Sequence, residues 1–275
     1  MKLLTQRLSA KLFVLSSLMI GGTALAEIVV IPGSGNPQQV LLVLGEAFHK
    51  HQSLHSIVVP PSTGSAGALR DVEAGTALLG RVGRPLKADE AARGLSYIAL
   101  GRDPVAFVGG AGVTVKGLSQ AQIVDVYRGK ITNWNDFGAK PGPIRAIGRE
   151  VTDASRQAIS RVIKPFENIM FGGEVKLAHL DPQMIELLDR YPTSLGFLNR
   201  SALAECKTKV VFLALDGVEP NAQNVESGRY PLWLEFGFVH KTGKLSPGAK
   251  AFLEFVRSPA GASILRAQGV LPATG

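Results

Sequence analysis

The chain has 275 residues, 45% of them hydrophobic and 19% charged, with one cysteine and a formal net charge of +8 at pH 7. That balance describes a folded chain of one large domain or two lobes. It excludes a disordered chain, a disulfide framework and a cysteine-rich zinc site, and no repeat or low-complexity tract points to a solenoid or a linker.

Residues 1–26 read as a secretory leader. Lys2, Arg7 and Lys11 form a basic lead, 12–20 is an apolar run too short to span a bilayer, and Ala24, Leu25 and Ala26 offer small residues spaced for cleavage. The mature chain is expected to begin at Glu27, and without a cysteine at that position the lipoprotein route is not expected. The product is expected to be free in the periplasm or outside the cell. Loss of the three basic residues takes the formal charge from +8 to about +5, an excess that favours anionic ligands. No basic run carries interleaved aromatics, so nucleic acid is not an expected partner.

Beyond the leader, short apolar runs bounded by turn residues alternate with segments of helical period, the pattern of an α/β protein with largely buried strands. A strand at 28–31 precedes a helix over 37–50 with Val40, Leu41, Leu44 and Phe48 on one face. A strand at 57–59 leads into PSTGSAGALRDVEAG, a small-residue loop opening a helix, and further strands are expected at 77–80 and 97–100. An apolar stretch at 104–109 follows, then a helix capped by Ser119 and running through Tyr127. A strand at 144–147 enters the polar turn REVTDAS and another helix, and 175–178 is again a strand. A helix over 182–190, strands at 195–198 and 210–215, an apolar run at 233–239 and helices over 247–257 and 259–268 complete the pattern.

Three loops combine small or hydroxyl residues with the start of a helix: 33–38, 62–67 and 149–156. A helix N-terminus presents unpaired N–H groups and the positive end of its dipole, so such a loop can cradle a compact anion. Small side chains let an oxyanion approach the backbone, serine adds rotatable donors, and Arg149 adds a fixed charge with a two-pronged donor fork.

Other chemistries find no support. His49, His51 and His55 are not spaced to converge on a metal and read as surface residues, and no HExxH is present. GSGNPQ lacks the third glycine of a dinucleotide fingerprint, and there is neither a phosphate-binding P-loop nor a GxSxG elbow. Trp134 and Trp233 read as core or hinge residues, Ile123 and Tyr127 as packing, and Cys206 as a buried or inert thiol.

The run GLSQAQIVDVYRGKITNWNDFG at 117–138 resembles the signature of the phosphate-binding proteins of ABC importers, the PstS-like family. The likeness continues in GRDPVAF (101–107), IGREVTDASRQAI (147–159), SLGFLN (194–199), SGRYPLW (227–233) and SPAGASILRAQGVLP (258–272). The resemblance implies a type II periplasmic binding protein fold, two α/β lobes with the ligand clamped between them. It implies a first lobe built from 27–104 and 230–275, a second lobe from 105–229, and crossovers near 101–107 and 230–239.

It also implies site residues. Ser65 matches the family serine that donates to phosphate, and Arg149 the arginine that pairs with it. In the first loop, Ser34, Gly35 and Asn36 are the expected ligand residues, with donation from Ser34, Asn36 or Gln38. In the third, the family's Ser-Gly-Thr falls on Asp153, Ala154 and Ser155. Gly83 stands where phosphate-specific members carry an aspartate. A carboxylate accepts a hydrogen bond from protonated phosphate and opposes unprotonated sulfate, so Asp153 is either an acceptor for a ligand proton, an ion-pair partner of Arg149, Arg156 or Arg81, or a simple helix cap. Arg81 and Arg84 read as solvated or structural residues, with ligand contact as the other option.

The function implied is capture of inorganic phosphate or a related oxyanion, without catalysis and without a metal or cofactor, for delivery to an ABC permease or a sensor by a monomeric periplasmic protein. The alternative is a module of this family with an altered or lost ligand, acting in envelope signalling, adhesion or protein interaction. A phosphate-ester hydrolase is a third reading, for which no nucleophile and base or metal set is evident.

Overall fold

The structure, a computed structural model, describes residues 25–204 and 206–273. The expected leader lies outside the described residues except for Leu25 and Ala26. In chain order, β1 (Glu27–Val30) leads to α1 (Gln38–His51), β2 (His55–Val58) to α2 (Gly64–Ala74), and β3 (Gly80–Val82) through the short α3 (Ala88–Ala91) to the long β4 (Leu95–Gly110). Then come β5 (Gly117–Leu118), α4 (Gln120–Tyr127), β6 (Arg145–Gly148), α5 (Ala154–Val162), β7 (Lys176–Leu177), α6 (Asp181–Arg190), β8 (Ser194–Asn199), β9 (Val210–Leu215) and α7 (Ala222–Glu226). Last in order are β10 (Trp233–Lys241), α8 (Pro247–Arg257), α9 (Pro259–Ala267) and β11 (Leu271–Pro272). Among the described residues no helix is long and apolar enough to cross a membrane.

Local chemistry explains the helix starts. Ser119 and Gln122 form a reciprocal capping box at α4, each side chain meeting the other's backbone N–H. Ser246 and Ser258 cap α8 and α9 with proline as the first helical residue, where its missing N–H costs nothing. On α1, the periodic Val40, Leu41, Leu44 and Phe48 are buried, and His49, Lys50 and His51 sit in the last turn.

Two α/β lobes flank β4. One packs Val40, Leu44, Phe48, Phe238 and Phe252 into its core, and the other Phe107, Tyr127, Phe166, Phe197 and Leu213. The strands are mixed in direction: β1 pairs parallel with β2, β10 runs antiparallel to both β3 and β4, β8 and β9 run antiparallel to β4, and β6 is parallel to β8 and β7. β4 serves both lobes in turn. Leu95 to Pro104 pair with β10, whereas Val105 to Gly109 pair with β8 and Phe107 to Gly110 with β9. Proline stands at the changeover, a position at which the chain offers no amide hydrogen.

The β1–β2 pair is tied to β3 by a parallel bridge between Gly33 and Arg81. Gly33 has φ +135°, and a Cβ there would lie 2.1 Å from the Arg81 carbonyl oxygen, so only glycine fits.

Three expectations need correction. The strand expected at 77–80 falls at Gly80–Val82, because Gly80 and Val82 pair with Val239 and Gly237 of β10 while Ala77 and Leu79 are buried without entering a strand. Apolar character marks burial there, not pairing. The separate runs at 97–100 and 104–109 are one continuous strand, β4. His55, expected at the surface, is 7% exposed because it opens β2 with its side chain turned inward.

Candidate functional site

The first lobe builds its side of the site around Arg81, which is wholly buried. Its Nε donates to the Ser34 carbonyl at 2.6 Å, its Nη2 to the Pro60 carbonyl at 2.7 Å and to Gln38 Oε1 at 3.2 Å, and its Nη1 to the Ile31 carbonyl. One guanidinium thus stitches the loop before α1 to the loop before α2. Among the described residues no carboxylate pairs with it, and burial pulls its pKa down to about 10. Of the two arginines open to either reading, Arg81 is therefore a buried structural donor. Arg84 is held by Glu90 at 2.6 Å, and this bond draws the Glu90 carboxyl down to about 2.

Around Gly83 this lobe gathers three of the expected residues. Ser65 Oγ, in the first turn of α2, accepts the Gly83 N–H at 3.1 Å and keeps its own proton to donate. A Cβ on Gly83 would lie 3.0 Å from Ser34 Oγ and 3.5 Å from the Asn36 carbonyl. The Ser34 hydroxyl therefore borders the space where a side chain at position 83 would start. Gly35 and Gln38 lie at the rim, and the Gln38 N–H closes a turn onto the Gly35 carbonyl at 2.8 Å.

The second lobe presents Arg149 from the loop after β6, supported from below by aromatic packing. Tyr127, Phe166, Phe171 and Phe197 pack edge to face or tilted, and the Tyr127 hydroxyl donates to the Ile147 carbonyl at 3.1 Å. Arg156 lies over the Phe171 ring at 4.4 Å and donates from Nη1 to the Arg149 carbonyl at 2.7 Å. Arg149 is 6% exposed. Its Nη2 donates to Asp153 Oδ2 at 2.6 Å and its Nη1 to Asp181 Oδ1 at 3.0 Å, while its buried Nε has no partner among the described residues.

Asp153 takes two of the roles that its sequence position left open. Its Oδ1 accepts the Arg156 backbone N–H at 3.0 Å as the cap of α5, and its Oδ2 pairs with Arg149. The start of α5, with half-buried Ala154 and buried Ser155, thus already carries an internal carboxylate.

The two sides meet across a cleft of about 530 Å³ whose walls include Gly35, Gln38 and Ser62 from one lobe and Asp181, Ile185 and Ala202 from the other. Asn36, 8% exposed, reaches across: its Oδ1 accepts from Asn199 Nδ2 at 3.3 Å, and its own buried Nδ2 has no partner among the described residues. Asn199 also donates to Asp103 Oδ2 at 2.8 Å and Ser201 Oγ at 3.1 Å. Burial pushes the Asp103 carboxyl up to about 6 against the hydrogen bonds from Ser201 and Asn199, and burial also raises Asp181, with Arg149 opposing. Among the described residues no group of His, Cys, Asp and Glu is arranged to hold a metal ion.

Asp103, Asp181, Asn199 and Ser201 were not singled out from the sequence. Asp103 carried a usable signal, an acid inside the apolar stretch that became β4. Asp181 reads locally as a first-turn acid before proline, and Asn199 as a strand end.

Comparison with known proteins agrees with this architecture. The family model described as the PBP superfamily domain matches residues 21–260. The phosphate-binding protein PstS of Bacillus subtilis is 28% identical over 256 residues, covering 90% of this chain and 81% of that protein. Among solved structures, a phosphate ABC transporter substrate-binding protein with bound phosphate from Clostridium perfringens is similar at a TM-score of 0.75 and 25% identity, covering 90% of this chain and all of the other. An ABC-type phosphate transport receptor from Vibrio cholerae shares the fold at a TM-score of 0.63 and 20% identity, covering 90% of this chain and all of its own. With two lobes around β4, a cleft between them and a family match over most of its length, this chain belongs to the PBP superfamily.

Proposed function

We propose that this protein captures inorganic phosphate or a closely related oxyanion in the cleft between its lobes and passes it to a membrane ABC permease. The observation that carries the reading is a pair of buried N–H donors without protein partners among the described residues, Asn36 Nδ2 and Arg149 Nε, one in each lobe, the first next in the chain to cleft-lining Gly35 and the second on the guanidinium that bonds cleft-lining Asp181. A buried donor without an acceptor costs about 1–3 kcal/mol, and an oxyanion accepting from both removes that cost. Ser65, Ser34 and the backbone at the starts of α1 and α2 complete the donor set, with Asp153, Ala154 and Ser155 lining the other side. The relatives named above bind phosphate or serve phosphate ABC transport by their descriptions, which fits the same ligand.

The groups facing the cleft hold and orient; they are not arranged as a nucleophile with its base, so the protein acts by binding and not by turnover. The lobes, 27–104 with 230–275 and 105–229, close about the strands that join them, excluding water and strengthening each hydrogen bond to the ligand. The chain works as a monomer in the periplasm, exported by the leader at 1–26. Calorimetric titration of the chain from Glu27 onward, refolded free of carried-over anion, tests this. One-site phosphate binding at micromolar strength or tighter, about −8 kcal/mol or better, is expected. A folded sample that takes up no phosphate overturns the reading.

A further inference from the structure

The side chain of Asn36 decides whether the first loop attracts or repels an anion. A carboxamide has an accepting oxygen and a donating nitrogen of nearly the same shape, so packing does not choose between its two orientations. Hydrogen bonding chooses here. Asp103 is wholly buried and, when ionised, can only accept; it receives the Ser201 backbone N–H at 3.2 Å, the Ser201 hydroxyl, and Asn199 Nδ2 at 2.8 Å. Asn199, 2% exposed, must therefore turn its nitrogen end toward Asp103. The same nitrogen then reaches Asn36 Oδ1 at 3.3 Å, the longest of its three contacts. Asn36 is left with its oxygen toward Asn199 and its Nδ2 turned away without a partner among the described residues.

We propose that Asn199 is a positioning residue for anion binding: Asp103 fixes the direction of its amide, and that amide holds Asn36 with its donor end toward the ligand. The inference rests on the reading of the cleft given above. The three residues come from separate parts of the fold: Asn36 from the loop before α1, Asp103 from β4 beside the change of strand partners, and Asn199 from the end of β8. Asn36 and Asn199 are 163 positions apart and belong to different lobes. The donor is thus set where the lobes meet. When the cleft opens and this contact parts, Asn36 is free to present either end, so lobe approach and a correctly polarised first loop become one event.

A double-mutant cycle separates this from a merely structural role. Wild type, Asn36→Ala, Asn199→Ala and the double variant are titrated with inorganic phosphate by calorimetry, and urea unfolding of each reports the fold. Asn199→Ala should weaken phosphate by about tenfold or more, and in the Asn36→Ala background it should cost no further affinity. An unchanged affinity, or the same loss in both backgrounds, overturns the inference. If Asn199→Ala fails to fold, Asp103→Asn replaces it: its amide can offer Asn199 either end, so it should weaken phosphate only while Asn36 is present. A wild type that takes no phosphate overturns the reading of the site and this inference with it; a wild type that binds, with variants whose effects add, overturns the inference alone.

Discussion

Arg149 Nη1 stands 3.0 Å from Asp181 Oδ1, so the first residue of α6, which lines the cleft, is tied to the buried guanidinium behind it. Asp153 has both oxygens engaged, and Asp103 has both engaged and no exposure. Asp181 differs. Its Oδ2 has no hydrogen-bond partner among the described residues, and the residue lines the cleft. Phosphate carries a proton near neutral pH and sulfate does not, so an open carboxylate oxygen accepts from one and opposes the other. Asp181→Asn should lower the ratio of phosphate to sulfate affinity by about tenfold, ~1.4 kcal/mol, in parallel titrations. An unchanged ratio would remove Asp181 from ligand selection.

Removal of Arg149 has two separable effects. Arg149→Ala deletes a charged donor from the cleft and should weaken phosphate by about 2 kcal/mol or more. It also leaves Asp153 and Asp181, 15% and 18% exposed, facing one another without their cation. Unfolding by urea should show a loss of about 3 kcal/mol, and Asp181→Asn in the same chain should restore part of it.

The Asp103 carboxyl is raised from 3.8 to about 6, chiefly by burial, with Asp181 adding to the rise and Arg200 the neighbouring cation. The folded state therefore holds this proton more tightly than the unfolded chain. Its contribution to stability is full below about pH 3.8 and is lost as the pH climbs through about 6. Asp103→Asn removes that dependence. Between acid and neutral pH the variant should gain about 3 kcal/mol relative to wild type in unfolding free energy, whatever constant offset its altered hydrogen bonds introduce. Parallel offsets at every pH would contradict the raised carboxyl.

Arg81 satisfies three backbone carbonyls and Gln38 with a single buried side chain. Arg81→Met should destabilise the chain by about 3 kcal/mol or more in urea unfolding, because several buried acceptors lose their donors together. Arg81→Lys should recover little, since one ammonium cannot span the same fork.

Much of the scaffold was visible in the sequence because it depends on neighbours in the chain. The face made by Val40, Leu41, Leu44 and Phe48 and the cap at Ser119 are encoded within a few residues of where they act. The strand at Gly80–Val82 was harder to place, since its limits are drawn by hydrogen bonds to β10, far along the chain. On the site, the loops bearing Ser34, Ser65 and Arg149 carry local signs, small residues and a cation before a helix. Asp103, Asn199 and Asp181 do not: each acquires its role from a partner 32 to 163 positions away. Asp153 shows the intermediate case: its cap and its pairing with Arg149 four residues away were both open in the sequence, and the structure shows that the two oxygens take one role each.

The proline at the changeover in β4 bears on how cheaply the two halves can swing. Val105 N–H bonds to the Leu232 carbonyl at 2.9 Å, and the Tyr230 hydroxyl bonds to the Val105 carbonyl at 2.7 Å, so the residue just beyond the proline is clamped. Pro104 itself contributes no amide proton to be torn from a neighbour. A pivot between a clamped residue and one with no amide bond to break resembles an axle seated in its bearing, and its rotation should register little enthalpy of its own. The heat of ligand uptake would then report the new contacts in the cleft and the water they displace, with the backbone at the joint nearly silent.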